Sequence, residues 1–142
     1  MLAGGLLLVL ASCVGPARSF DAYAGKAGAT ASQMSGPVQT VLLAAQAAAR
    51  GRAFAPYISV TIGDAEKDAS AIQGAFDSIQ PPDPQSDRLR SQLDELLSAA
   101  VSVIGDARIA ARRNQLDRLP DVVRALGPLA SKLDRFSQAH RP

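Results

Sequence analysis

The stretch 89–111, LRSQLDELLSAAVSVIGDARIAA, sets Leu89, Leu93, Leu96, Ala100, Val103, Ala107 and Ala110 at alternating steps of four and three. That rhythm holds apolar side chains on one stripe of an α-helix, whereas a half-buried strand would alternate every second residue. Leu97, Ile104 and Ala111 widen the stripe beyond a two-stranded seam, so this helix should face two neighbours at once. The flanking chain has to supply them.

Downstream, Arg113-Asn114 ends the pattern, and Pro120 with Asp121 beside it suits the first turn of a further helix. Leu119, Val122, Leu126, Leu129, Leu133 and Phe136 continue the same rhythm. Gly127-Pro128 is expected to kink or split this helix, and 139–142 to fray.

Upstream, Pro81-Pro82-Asp83-Pro84 cannot continue a helix and forms the sharpest boundary in the chain, with Asp83 or Ser86 free to cap the helix after it. Before it, Ile58, Ile62, Ala65, Ala69, Ile72, Phe76 and Ile79 predict a helix from Pro56 to Ile79. Its first two turns are ambiguous. Ile58, Val60 and Ile62 alternate with Ser59 and Thr61 as in a strand, yet no other stretch offers a partner strand. The first helix is expected from an N-cap at Asp21 through Tyr23, Ala27 and Met34, and Ser35-Gly36-Pro37 should kink it or start a fresh one. Val38, Val41, Leu42, Ala45, Ala48 and Ala49 then form a stripe that Arg50-Gly51 closes.

Four striped helices joined by short turns pack most simply as an antiparallel up-and-down four-helix bundle, an all-α fold. Composition agrees: 47% of the 142 residues are hydrophobic but only 4% are aromatic, with no Trp. Alanine on the inner faces of the first and third helices should let backbones approach closely, leaving Phe76 and Phe136 to fill space from the other two. The net charge of +2, from 15 basic and 13 acidic groups, is too balanced for a nucleic-acid partner and permits only mild attraction to anionic headgroups.

The amino-terminal run from Leu2 to Val14 is too short to span a bilayer, which takes roughly 20 apolar residues, but has the length of a signal-peptide core. It ends in Leu10-Ala-Ser-Cys13, and Cys13 is the only cysteine. A lone thiol cannot form an internal disulfide, and lipidation would give it a role in an oxidising compartment. The tetrad resembles the lipobox of bacterial lipoproteins, which implies lipid attachment at Cys13 and cleavage before it. On that resemblance residues 1–12 are a signal peptide, 13–20 a lipidated tether and 21–142 the bundle, held extracytoplasmically on a membrane. The departure is that no Lys or Arg precedes the apolar run. The rival is cleavage at Gly15-Pro16-Ala17, which would discard Cys13 and release a soluble secreted protein.

Catalytic machinery is hard to assemble from these residues. His140 is the only histidine, so no second imidazole can complete a metal site or a nucleophilic triad. No P-loop, dinucleotide fingerprint or HExxH occurs, and no small-molecule substrate is implied. Asp64, Glu66 and Asp68, with Lys67 between, and Asp94-Glu95 read as solvated faces. The alternative to an interaction protein is a haem-binding bundle of the cytochrome b562 kind, for which Met34 and His140 are the right residue types, though at different heights.

Arg108, Arg112, Arg113 and Arg118, with Arg124 a further candidate, crowd the end of the third helix. The helix macrodipole alone favours each by about 0.3–1 kcal/mol. The functional reading is a patch for an anionic partner, either a lipid headgroup or another envelope protein. The prevalence of arginine over lysine and the abundant alanine suggest a GC-rich bacterium. The part after the leader resembles small exported helical proteins of such organisms, with a Pro-Pro turn and a stretch like Arg108–Arg113. That resemblance implies no activity. The sequence therefore predicts a non-enzymatic, lipid-anchored envelope protein that binds no cofactor or metal.

Overall fold

The computed structural model describes residues 16–141, so the leader, Cys13 and Pro142 lie outside the described residues. Four helices come in the order α1 (Phe20–Ala49), α2 (Ala55–Asp77), α3 (Pro84–Arg112) and α4 (Leu119–Ala139). A single 3-10 turn, Leu116–Arg118, links the last two. Among the described residues there is no strand, and the ambiguous segment 57–62 lies within the first turns of α2.

The helices form an antiparallel up-and-down bundle in which each touches its sequence neighbours and α1 packs also against α4. One diagonal is closed. α1 meets α3 across the centre, whereas α2 and α4 make no comparable contact. Buried alanine is shared by both members of the closed diagonal, Ala27, Ala31 and Ala45 on α1 and Ala100, Ala107 and Ala111 on α3, and small side chains let backbones approach. Larger groups fill the other diagonal: Phe76, Ile58 and Ile62 from α2, and Leu119, Leu126 and Leu133 from α4. Each fully buried Leu, Ile or Phe contributes about 1.5–3 kcal/mol. All these residues belong to one continuous core.

Helix ends are set by local chemistry. Ser19, not Asp21, caps α1, its hydroxyl accepting from the Ala22 amide at 3.3 Å, while Asp21 sits in the first turn. Asp83 caps α3 by accepting from Ser86 N at 2.8 Å. The carboxyl ends of α1 and α3 are built alike. Gly51 and Asn114 adopt left-handed backbone, with φ of 63° and 56°. The next amides along, those of Arg52 and Gln115, donate back to Ala47 O and Ala110 O at 2.9 Å, the pairing of a Schellman motif.

The structure corrects three further expectations. Of the two outcomes expected at Pro37 and Pro128, a kink or a split, the split does not occur: α1 and α4 are each one continuous helix through the proline. The reason lies one residue before each proline, where Gly36 and Gly127 lack the Cβ that would clash with the proline ring in helical backbone. The acceptors freed four residues back belong to Gln33 and Arg124, both exposed, where water can satisfy them. Second, packing begins before residue 21, since Ala17 is buried in the core and Phe20 packs against it. Third, the end of α4 is docked. A Cβ built on Gly28 of α1 would stand 2.9 Å from the His140 carbonyl carbon, so only glycine admits that approach.

Alanine in place of an exposed mid-helix glycine ordinarily adds about 1 kcal/mol of stability. For Gly36→Ala we expect no gain and a loss of about 1 kcal/mol, because the new Cβ meets the ring of Pro37. Chemical denaturation measures this directly, and a stabilised variant would show that the glycine is not what accommodates the proline.

Candidate interaction surface

The up-and-down topology gives the bundle two unlike ends. Where α1 and α3 begin lie Ser19 and Asp83; where they finish, the chain turns through Arg50-Gly51-Arg52 and Arg113-Asn114. That far end holds Arg50, Arg52, Arg112, Arg113 and Arg118 against one acid, Asp117, within residues 50–57 and 112–118. Since the whole chain carries only +2, the rest of it is slightly acidic. Among the described residues none of these five arginines forms an ion pair.

The sequence-identified arginines separate into three directions. Arg108 is ion-paired with Glu66, and with Arg112 it lines a groove of about 370 Å³ between α2 and α3, along with Ser59, Val60 and Gly63. Arg118 lines a second groove of about 320 Å³ between α3 and α4, facing Asp106 and Asp121. Arg113 is the C-cap of α3, at the tip. Arg124 is bound by Asp121 and is not free to join a patch.

Sequence reasoning missed the apolar half of this end. Phe54 is 86% exposed, and Tyr57 and Val60 are 65% and 63% exposed. They are spaced at steps of three, from the residue before α2 into its second turn. Phe54 is also the N-cap of α2, where its ring supplies no hydrogen bond. For the arginines the signal was available: parallel α1 and α3 must finish at the same end, which puts Arg50 and Arg52 at the same end as Arg112 and Arg113.

The near end carries a half-buried polar cluster. Arg90 of α3 donates to the carbonyls of Ile79 (3.2 Å) and Asp77 (3.0 Å), closing the end of α2, and reaches Asp94 at 3.5 Å. One Asp94 oxygen is buried without a partner. Burial therefore raises the Asp94 pKa above the usual 3.8, against the lowering effect of Arg90. The Tyr23 hydroxyl is likewise buried without a hydrogen bond, and burial pushes its phenol above 10.0. Its ring packs 5.9 Å from that of Phe76.

Met34 and His140 do not meet. Met34 is fully buried, six residues beyond the Gly28 against which His140 packs, an axial offset of about 9 Å. His140 Nδ1 lies 2.8 Å from the Phe136 carbonyl, and its ring stacks 4.4 Å from Phe136. Among the described residues no group of three His, Cys, Asp or Glu could hold a metal ion. No helix of the described residues is long and apolar enough to cross a membrane. Cys13 lies outside them. No family model, curated protein or solved structure matches the chain.

A serine at an N-cap accepts an amide hydrogen bond that phenylalanine cannot, so Phe54→Ser should raise unfolding stability by about 0.5–2 kcal/mol. A lower urea midpoint would mean that the Phe54 ring supports the fold. For Asp94, a folded pKa above the unfolded value means that the native state holds the extra proton. Stability then falls as pH rises from 3.8 through the raised value. Asp94→Asn should flatten that part of the profile relative to wild type, and superimposable profiles would count against it.

Proposed function

We propose that this protein is a lipid-anchored, non-enzymatic component of the cell envelope, held at Cys13 on the extracytoplasmic side and acting through contacts of its outer surface. The observation that carries this reading is the polarity of the bundle. Free arginines and exposed aromatic rings gather at the end opposite the one where α1 begins. With 30 residues in α1, those ends are about 45 Å apart. From Cys13 to the cap at Ser19 an extended chain reaches at most about 20 Å. A bundle tethered so closely would keep its near end by the leaflet and present the arginines outward.

Two further observations support the reading. Cleavage after Ala17, the route to a soluble secreted form, would remove a residue that packs into the core. The groove charges are largely paired, Glu66 with Arg108, Asp64 with Lys67 and Asp121 with Arg124, and thus poorly suited to acid–base work.

Labelling cells with a palmitate analogue and fractionating them, with Cys13→Ala for comparison, tests the anchor. Wild type should label and stay with membranes, and Cys13→Ala should do neither. Equal labelling, or equal membrane retention, would remove Cys13 as the attachment point.

A further inference from the structure

We propose that the far end of the bundle, formed by the α1–α2 turn with the end of α3, docks onto an anionic lipid surface. Phe54 enters the headgroup layer, and Arg50, Arg52, Arg112 and Arg113 hold lipid phosphates around it. This goes beyond the anchoring reading and does not rest on it: these residues lie at the end opposite the start of α1, so in an anchored protein they would meet a membrane surface facing the anchoring leaflet, not that leaflet itself.

Charge comes first. Within residues 50–57 and 112–118 five unpaired arginines stand against one aspartate, and the nearby Asp121 is already paired with Arg124, so a surface of many negative charges complements this end. Helix dipoles account for only part of that gathering. They favour Arg50 and Arg112 at carboxyl ends, but Arg118 is the N-cap of α4 and Arg52 precedes the start of α2, where a positive charge is disfavoured.

Shape selects lipid over an acidic protein. Phe54 projects from a turn between two helices with 86% of its surface exposed, and Tyr57 stands one turn behind it. A protein interface anchors such a ring in a preformed pocket, whereas a headgroup layer deforms around it and also favours tyrosine at its boundary. Position 54 adds a separate argument. An aromatic ring at an N-cap forgoes the hydrogen bond that Ser, Asp or Asn would make, so the fold does not explain its presence.

The test uses the full chain with Cys13→Ala, which carries no acyl group, and vesicles of phosphatidylcholine with or without phosphatidylglycerol. Any contribution from the apolar leader is present on both, so neutral vesicles set the baseline. Phosphatidylglycerol should increase binding, and Arg50→Gln/Arg112→Gln should reduce that increment about 30-fold, at roughly fivefold per arginine. Phe54→Ser should reduce it about tenfold while leaving the circular dichroism unchanged. Because the chain has no tryptophan, Phe54→Trp provides a single fluorophore, and its emission should shift to the blue on anionic vesicles alone.

Equal binding to neutral and anionic vesicles would overturn the proposal, as would an anionic increment that survives both sets of substitutions. Binding confined to native envelope membranes and abolished by protease treatment would replace the lipid with a protein partner. Each of these outcomes leaves the Cys13 labelling result standing.

Discussion

The close approach of α1 and α3 across the centre of the bundle is the constraint on which the rest of the structure depends. Two helices meet more closely on a diagonal where small side chains line them, and buried alanine on both members, at 27, 31 and 45 of α1 and at 100, 107 and 111 of α3, supplies such positions along their length. Once α1 and α3 touch, α2 and α4 are held apart, and the channels beside them must be filled by long side chains. Phe76, Ile62, Leu126 and Leu133 do so, all buried. Exchanging small for large between the diagonals would leave voids on one and collisions on the other.

Most of this was readable from periodicity. The four-three rhythm located each helix, and the alanine distribution indicated which pair would come close. What periodicity could not convey was the effect of a proline whose preceding residue is glycine. Pro37 and Pro128 were expected to kink or split α1 and α4 because proline removes a donor and clashes with the preceding turn. Gly36 and Gly127 remove part of that clash, and exposed Gln33 and Arg124 leave the freed acceptors to water. The lesson is local: Gly-Pro within a long apolar stripe weakens the case for a break.

The arginine end was only half legible for a different reason. Arg108, Arg112, Arg113 and Arg118 stand out because they crowd together along the chain, whereas Arg50 and Arg52 join them through topology alone. Pairing across helices could not be read, although the i,i+3 spacing of Asp121 and Arg124 allowed theirs. Arg108 and Arg124 look like their neighbours in sequence, yet Glu66 and Asp121 neutralise them. Phe54 escaped notice because a single aromatic residue before a helix belongs to no stripe.

The two ends also differ in how their helices start. At the near end α1 and α3 begin on Ser19 and Asp83, each accepting an amide hydrogen bond. At the far end α2 and α4 begin on Phe54 and Arg118, neither of which caps with its side chain, and both helices rely on a proline in the first turn. A side-chain cap is worth about 1 kcal/mol, so the far end holds its helix starts less firmly although the Schellman motifs of α1 and α3 close it from the other side. Those motifs keep the turns in place without using the side chains they carry. Arg50, Arg52, Phe54 and Arg113 are thereby released from structural duty, and a set of residues so released is where a small helical bundle has room to evolve a contact surface.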